Sequence, residues 1–183
     1  MSNVYVFLAD GFEEIEGLTV VDLLRRAGIS VITVSIMGRK AITGSHQITV
    51  TADTQIEEIQ VEAEDCLVLP GGIPGTRYLG ECERLKGFLV EADARKSRIA
   101  AICAAPTVLG SLGFLKGKRA VCYPGMEEGL LGAEVSQEEV VTDGHITTSR
   151  GLGTAIAFAL ELVTLLKGNE EAERLARSVV YTK

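Results

Sequence analysis

Apolar and polar positions change rhythm several times along this chain, and each change marks an element. Val4–Ala9 is a continuous apolar run. Such a run suits a strand covered on both faces, as in a parallel sheet flanked by helices. Glu13–Ala27 reads as a helix, and Gly28 supplies its stop. Ile29–Met37 returns to a strand pattern and ends at Gly38-Arg39-Lys40. Ala41–Thr51 predicts a small β-hairpin or edge excursion, with Ile48, Val50 and Thr51 strand-like. Cys66–Pro70 is another buried strand, followed by Gly71-Gly-Ile-Pro-Gly75 and a helical stretch over Tyr78–Ala94. Arg98–Ile102 and Arg119–Cys122 predict two further short strands. Val140–Thr142 and Ile146–Thr148 flank Asp143-Gly144, a strong hairpin turn. Leu152–Leu166 and Glu170–Val180 close the pattern as helices.

Strands alternating with helices predict an α/β fold with a mostly parallel sheet and helices on both faces. Neither a linker nor a repeat interrupts the pattern, so residues 1–183 are expected to form one domain. With 25 acidic and 18 basic residues the chain is net negative, and no Lys/Arg cluster stands out. That argues against nucleic acid or an acidic membrane as partner. Val4–Ala9 lacks a preceding basic region and is far too short to span a bilayer, so neither a targeting signal nor a membrane segment is expected. The four cysteines show no close pairing. Reduced thiols in a cytoplasmic setting are the expectation.

Of the four, Cys103 stands apart. It lies between the strand Arg98–Ile102 and a predicted helix that includes Pro106, Thr107, Leu109 and Leu112. Proline fits the first helical turn. A strand-to-helix turn lifts a side chain into the crevice at the strand's carboxyl end. It also sets the sulfur beside helical N–H groups, which favour thiolate and predict a pKa below the ordinary thiol value. Two other loops should reach the same sheet edge: Asp10–Glu16 after the first strand, and Gly71-Gly72 after Cys66–Pro70. A carboxylate there can shuttle protons, and glycine N–H groups can approach an oxyanion. Two anions in contact are disfavoured, so such a pair should keep one proton.

Cys66 and Cys122 sit in strand patterns and read as core; Cys82, near a helix start, reads as incidental. His145 follows the Asp143-Gly144 turn and reads as a surface residue. Gly151-Leu-Gly-Thr-Ala-Ile156 lacks the third glycine of a dinucleotide fingerprint, and Gly113–Lys118 is too short for a phosphate loop. Two distant histidines and unpaired cysteines make no metal site. Neither cofactor nor metal is expected.

Ala9-Asp-Gly-Phe-Glu-Glu-Ile-Glu16, Val68-Leu-Pro-Gly-Gly72, Ala100-Ala-Ile-Cys-Ala-Ala-Pro-Thr107 and Thr148-Ser-Arg-Gly-Leu-Gly-Thr154 occur in this order. Together they resemble the ThiJ/PfpI superfamily, in the branch of the Parkinson-disease protein deglycase (DJ-one). The resemblance spans nearly the whole chain. It implies a flavodoxin-like three-layer sandwich and a homodimer, with Ile15 and Leu18 of the first helix at the interface. It implies that Cys103 is the reactive, oxidisable cysteine and that Glu16 is similar to the protonated glutamate beside it. Gly72 and Ala104 match positions that supply backbone donors to an anion, with Gly71 alongside. Arg150, His46 and Arg26 match positions where relatives carry arginines near the site, His46 close to the partner subunit's. Tyr123 stands where relatives of this branch commonly have histidine, and Ala104 where the protease-like branch has one. A Cys-His pair is thus missing from both patterns, which disfavours a hydrolase that needs such a base.

The implied activity is glyoxalase-type or deglycase-type: Cys103 would attack a small reactive carbonyl and Glu16 would move protons. The alternative is an oxidative-stress sensor or redox-regulated chaperone in which Cys103 oxidises without turnover. Both need an accessible, reactive thiol.

Overall fold

Alternate residues of the first strand face two different cores. The computed structural model describes residues 2–182. In β1 (Val4–Leu8), Val4, Val6 and Leu8 belong to one buried cluster, while Tyr5 and Phe7 belong to another. Side chains of a strand alternate between faces, so a strand apolar throughout requires a covering layer on each side. The chain supplies both. It continues through α1 (Glu14–Arg26), β2 (Val31–Ser35), β3 (Ala41–Thr43), β4 (Thr49–Thr51), β5 (Thr54–Gln55) and β6 (Cys66–Leu69). Then come α2 (Gly75–Glu81), α3 (Glu83–Arg95), β7 (Ile99–Ile102), α4 (Pro106–Ser111), β8 (Arg119–Ala120) and β9 (Glu134–Val135). The last elements are β10 (Val140–Asp143), β11 (Ile146–Ser149), α5 (Ala155–Lys167) and α6 (Asn169–Ser178).

The central sheet has seven strands in the order β10-β11-β7-β6-β1-β2-β5. Every neighbour pair is parallel except β10 with β11, the hairpin at Asp143-Gly144. Leu24 of α1 and Phe158 and Leu162 of α5 cover one face; Leu85 and Leu89 of α3 and Leu109 of α4 cover the other. This is the mostly parallel sheet with helices on both faces that the hydrophobic pattern predicts, in the three-layer sandwich that the resemblance implies. β3 and β4 form the expected small antiparallel hairpin outside the main sheet.

Two details differ from the sequence reading. The predicted helix over Tyr78–Ala94 is two helices, because Cys82 takes an extended ψ of 102° and breaks the chain between α2 and α3. Apolar spacing continues across the break, so periodicity alone joins them. The short strands β5 and β9 carry too few residues for a pattern to show. Among the described residues, no helix is long and apolar enough to cross a membrane.

Candidate active site

The carboxyl ends of β1, β6 and β7 lie side by side, because these three strands are adjacent and parallel. Whatever follows each strand therefore meets at one edge. After β7 comes Cys103, with φ +65°. A residue with a Cβ rarely adopts this region, at a cost of about 1–3 kcal/mol. The surroundings hold it there. Its N–H donates to the Ser149 carbonyl at 3.0 Å, and its carbonyl accepts from the Tyr123 N–H at 2.8 Å. Pro106 then opens α4 within its first turn. The sharp turn leaves the Cys103 side chain half-buried at the sheet edge.

After β1 comes the start of α1. Glu13 caps this helix, its Oε2 accepting the Glu16 N–H at 2.9 Å. That cap fixes the first turn and directs Glu16 inward, where it is 1% exposed. The Gly71 N–H, from the loop after β6, donates to Glu16 Oε2 at 3.0 Å. The Glu16 carboxyl also hydrogen-bonds the Cys103 side chain.

Gly71 shows why this loop tolerates no side chain. A Cβ there would lie 2.6 Å from Cys103 Cβ, 2.7 Å from Glu16 Oε2 and 3.0 Å from Cys103 Sγ. Its missing side chain is the space in which the thiol and the carboxyl meet. Gly72 has φ +94°, and a Cβ on it would come within 2.3 Å of the Glu13 nitrogen.

Burial first, and to a lesser degree the Glu13 charge beside it, push the Glu16 carboxyl up to about 7; the Cys103 thiol and the Gly71 and Leu152 N–H groups pull the other way. Burial first, and then the Glu16 charge and hydrogen bond, push the Cys103 thiol up to about 12, against the N–H groups of Ala104 and Gly72. The expectation of a thiol pKa below the ordinary value is therefore corrected. The loop N–H groups of Ala104 and Gly72 are present at the sulfur, but burial and the neighbouring carboxylate outweigh them. Both groups rise first for a shared reason, burial, and the Glu16 charge lifts the thiol further. From about 7 to about 12 the pair keeps one proton between them.

The other predicted site residues divide. Ala104 and Gly72 direct N–H groups at the sulfur. Gly71 acts on Glu16 rather than on an oxyanion. Tyr123 (51% exposed) and Arg150 line an open depression of about 420 Å³ with Gly151 and Leu152. A Cβ on Gly151 would lie 3.8 Å from Glu16 Oε1 and 3.4 Å from the Tyr123 ring, so this depression adjoins the carboxyl. Arg26 does not reach the site. It pairs with Asp22 at 2.6 Å on the surface of α1's last turn. Ten residues of helix beyond Glu16 place it about 15 Å away along the axis.

His46 also stands off the Cys103 crevice within this chain. It is 71% exposed, and its ring lies 3.2 Å from Glu14 and 3.6 Å from Glu13. Ligand atoms of Glu13, Glu14 and His46 approach within 4.8 Å of one another. The Glu14 carboxylate is already engaged by the His46 N–H at 2.8 Å and the Ile48 N–H at 3.4 Å. Burial opposes its charge, but these bonds, its own N–H and the His46 ring hold it below the usual carboxylate range. The cluster is the anchor of the loop between β3 and β4.

Sequence reasoning missed two backbone contributors: the Ser149 carbonyl that pins Cys103, and the Leu152 N–H at Glu16. The signal was present in Thr148–Thr154, which leaves the sheet beside β7. His145 is not a surface residue. It is 8% exposed, with Nε2 2.7 Å from Asp93 Oδ1.

The model of the DJ-1/PfpI family matches residues 2–165. Protein dj-1beta of Drosophila melanogaster is 38% identical over 180 residues, covering 97% of this chain and 96% of that protein. A deglycase of Pyrococcus abyssi is 36% identical over 171 residues, covering 90% of this chain and 99% of that protein. The solved structure of oxidized DJ-1 from Toxoplasma gondii superposes with a TM-score of 0.95 at 33% identity, each chain covered in full.

Proposed function

This chain belongs to the DJ-1/PfpI family, and on that footing we propose that it is a cofactor-independent cysteine enzyme acting on reactive 2-oxoaldehydes or their adducts. The observation that carries the reading is the buried Glu16 carboxyl, raised to about 7 and hydrogen-bonded to the half-buried Cys103. A base with a pKa near the working pH is suited to take up and return protons.

With methylglyoxal as substrate the steps balance as follows. Cys103 Sγ forms a bond to the aldehyde carbon, its proton passes to Glu16, and the carbonyl oxygen takes a proton to complete a hemithioacetal. The Ala104 and Gly72 N–H groups stabilise the developing oxyanion. Glu16 then removes the proton on the former aldehyde carbon and returns it to the neighbouring carbon, while the hydroxyl proton passes to the former ketone oxygen, which converts the adduct to a thioester. Water cleaves the thioester, giving lactate and restoring the thiol. The sum is methylglyoxal plus water to lactate, with no outside oxidant. Tyr123 and Arg150 border the depression through which a small substrate would enter. Lactate formation followed by NMR tests this: Cys103→Ala is expected to fall to the uncatalysed rate, and equal rates in the two proteins would overturn the mechanism.

A second reading rests on the same sulfur. Peroxide would oxidise Cys103 to a sulfinate held by the Ala104 and Gly72 N–H groups and by protonated Glu16, and the protein would act as a sensor. Wild type that forms no lactate, yet gains two oxygens at Cys103 under mild peroxide, would replace the first reading with this one.

The protein is further proposed to be a homodimer through its first helix. Ile15 on α1 is 48% exposed and Ile156 on the adjoining α5 is 37% exposed, with Leu18 partly covered between them and the core. Sedimentation at micromolar concentration should show a dimer; monomer alone would contradict it.

A further inference from the structure

Three cations converge at the opposite end of the sheet from Cys103. β7 runs from Ile99 to Ile102, so Arg98 and Cys103 stand at its two ends, roughly 16 Å apart along the strand. At the amino end, an open depression of about 500 Å³ is lined by Lys96, Arg98, Lys118, Gly144 and His145. The elements explain the convergence. Lys96 is the left-handed cap of α3, Arg98 leads into β7, Lys118 leads into β8, and Gly144-His145 is the turn between β10 and β11.

We propose that this depression is a binding site for a small phosphorylated anion, held by Lys96, Arg98, Lys118 and the ring of His145. It lies outside the chemistry proposed for Cys103 and does not depend on it. The local charge favours an anion. Asp93 and Asp143 pair with its lining residues, and both are shared. Asp93 Oδ1 lies 2.7 Å from His145 Nε2 and 3.7 Å from Lys96 Nζ, while Asp143 lies 3.8 Å from Lys118 Nζ and also accepts the Arg119 N–H. Arg98 has no acidic partner among the described residues. A guanidinium without a carboxylate, on the edge of a cavity, is suited to the paired oxygens of a phosphate.

His145 supplies the second, independent observation. It is nine-tenths buried, its Nε2 is held by Asp93, and its Nδ1 has no hydrogen-bond partner among the described residues. With Nε2 facing a carboxylate, the neutral ring carries its proton there and presents Nδ1 as an acceptor. A phosphate P–OH can donate to it, or the ring can gain a proton and donate in turn. Burial, and then the charges of Lys96 and Lys118 against the pull of Asp93, keep its pKa below the usual histidine value. An anion seated among these groups reverses that influence. The size of the depression suits a small ligand rather than a macromolecule.

The chain has two histidines, His46 and His145, on different loops. Their ring protons can therefore be followed separately by NMR across a pH titration. Inorganic phosphate, glycerol phosphate and sodium chloride at matched ionic strength are the three additions. Phosphate and the monoester are expected to shift His145 saturably and to raise its pKa by about one pH unit. His46 should not move. Arg98→Gln should weaken the phosphate effect about tenfold, and Lys96→Gln, at an exposed position that leaves folding intact, should weaken it in the same direction. An equal shift with chloride, a response of both histidines alike, or an unchanged affinity in both variants would overturn the proposal.

Discussion

Replacing Glu16 with glutamine is expected to lower turnover by about 10²–10⁴-fold while making the folded protein more stable above pH 7. The loss of rate follows from the site. Glutamine keeps the shape and can still meet the Gly71 N–H edge, but it cannot accept the thiol proton. The gain in stability follows from linkage. Glu16 titrates near 7 in the folded protein, against 4.5 for an unburdened carboxyl. A carboxyl raised in this way favours folding while protonated, and that contribution is lost as pH rises through about 7. The difference amounts to about 3 kcal/mol for a buried group. Glutamine is neutral throughout and avoids the loss. Denaturant unfolding should show the variant more stable than wild type near pH 8 and the two nearly level near pH 4. An offset that is the same at both pH values would mean that the buried charge is not what the substitution removes.

Gly72→Ala is expected to cost on the order of 3 kcal/mol or more. Two separate obstacles add. The backbone at Gly72 holds φ +94°, and a Cβ would meet Glu13 N at 2.3 Å, Gly11 O at 2.5 Å and Phe12 C at 2.6 Å. All three are backbone atoms, so none can swing aside as the end of a side chain could. Relief requires the loop after β6 to move away from the start of α1, and this movement also takes the Gly72 N–H off the Cys103 sulfur. Thermal unfolding together with Cys103 alkylation checks both consequences. Wild-type stability in Gly72→Ala would show that the two loops are not in fact held this close.

The pattern of apolar runs carried the fold far, and the reason is local. β1, β6 and β7 are apolar without alternation, which only a doubly covered parallel sheet explains, and the elements between them have helical spacing. Cys103 was legible because strand, turn and Pro106 are contiguous. Glu16 was legible by register with a family and by its place after β1. Long-range electrostatics was not legible. The Ala104 N–H at Cys103 can be inferred from its place next in sequence, whereas the burial that raises the thiol depends on how tightly three loops close over it. His145 looked like a turn residue because its partner Asp93 lies 52 positions away. Arg26 matched a family position, yet in this chain its contact is with Asp22, four residues back on the same helix.

Cys103 and Glu16 are expected to titrate as one unit holding a single proton. The pH dependence of iodoacetamide alkylation, resolved to Cys103 by peptide mass, tests it most directly in wild type and in Glu16→Gln. In wild type the rate should rise through an inflection near 7, where the pair gives up its first proton. In the variant that inflection should vanish, leaving the single rise of an isolated thiol at more alkaline pH. Superimposable profiles in the two proteins would contradict the claim.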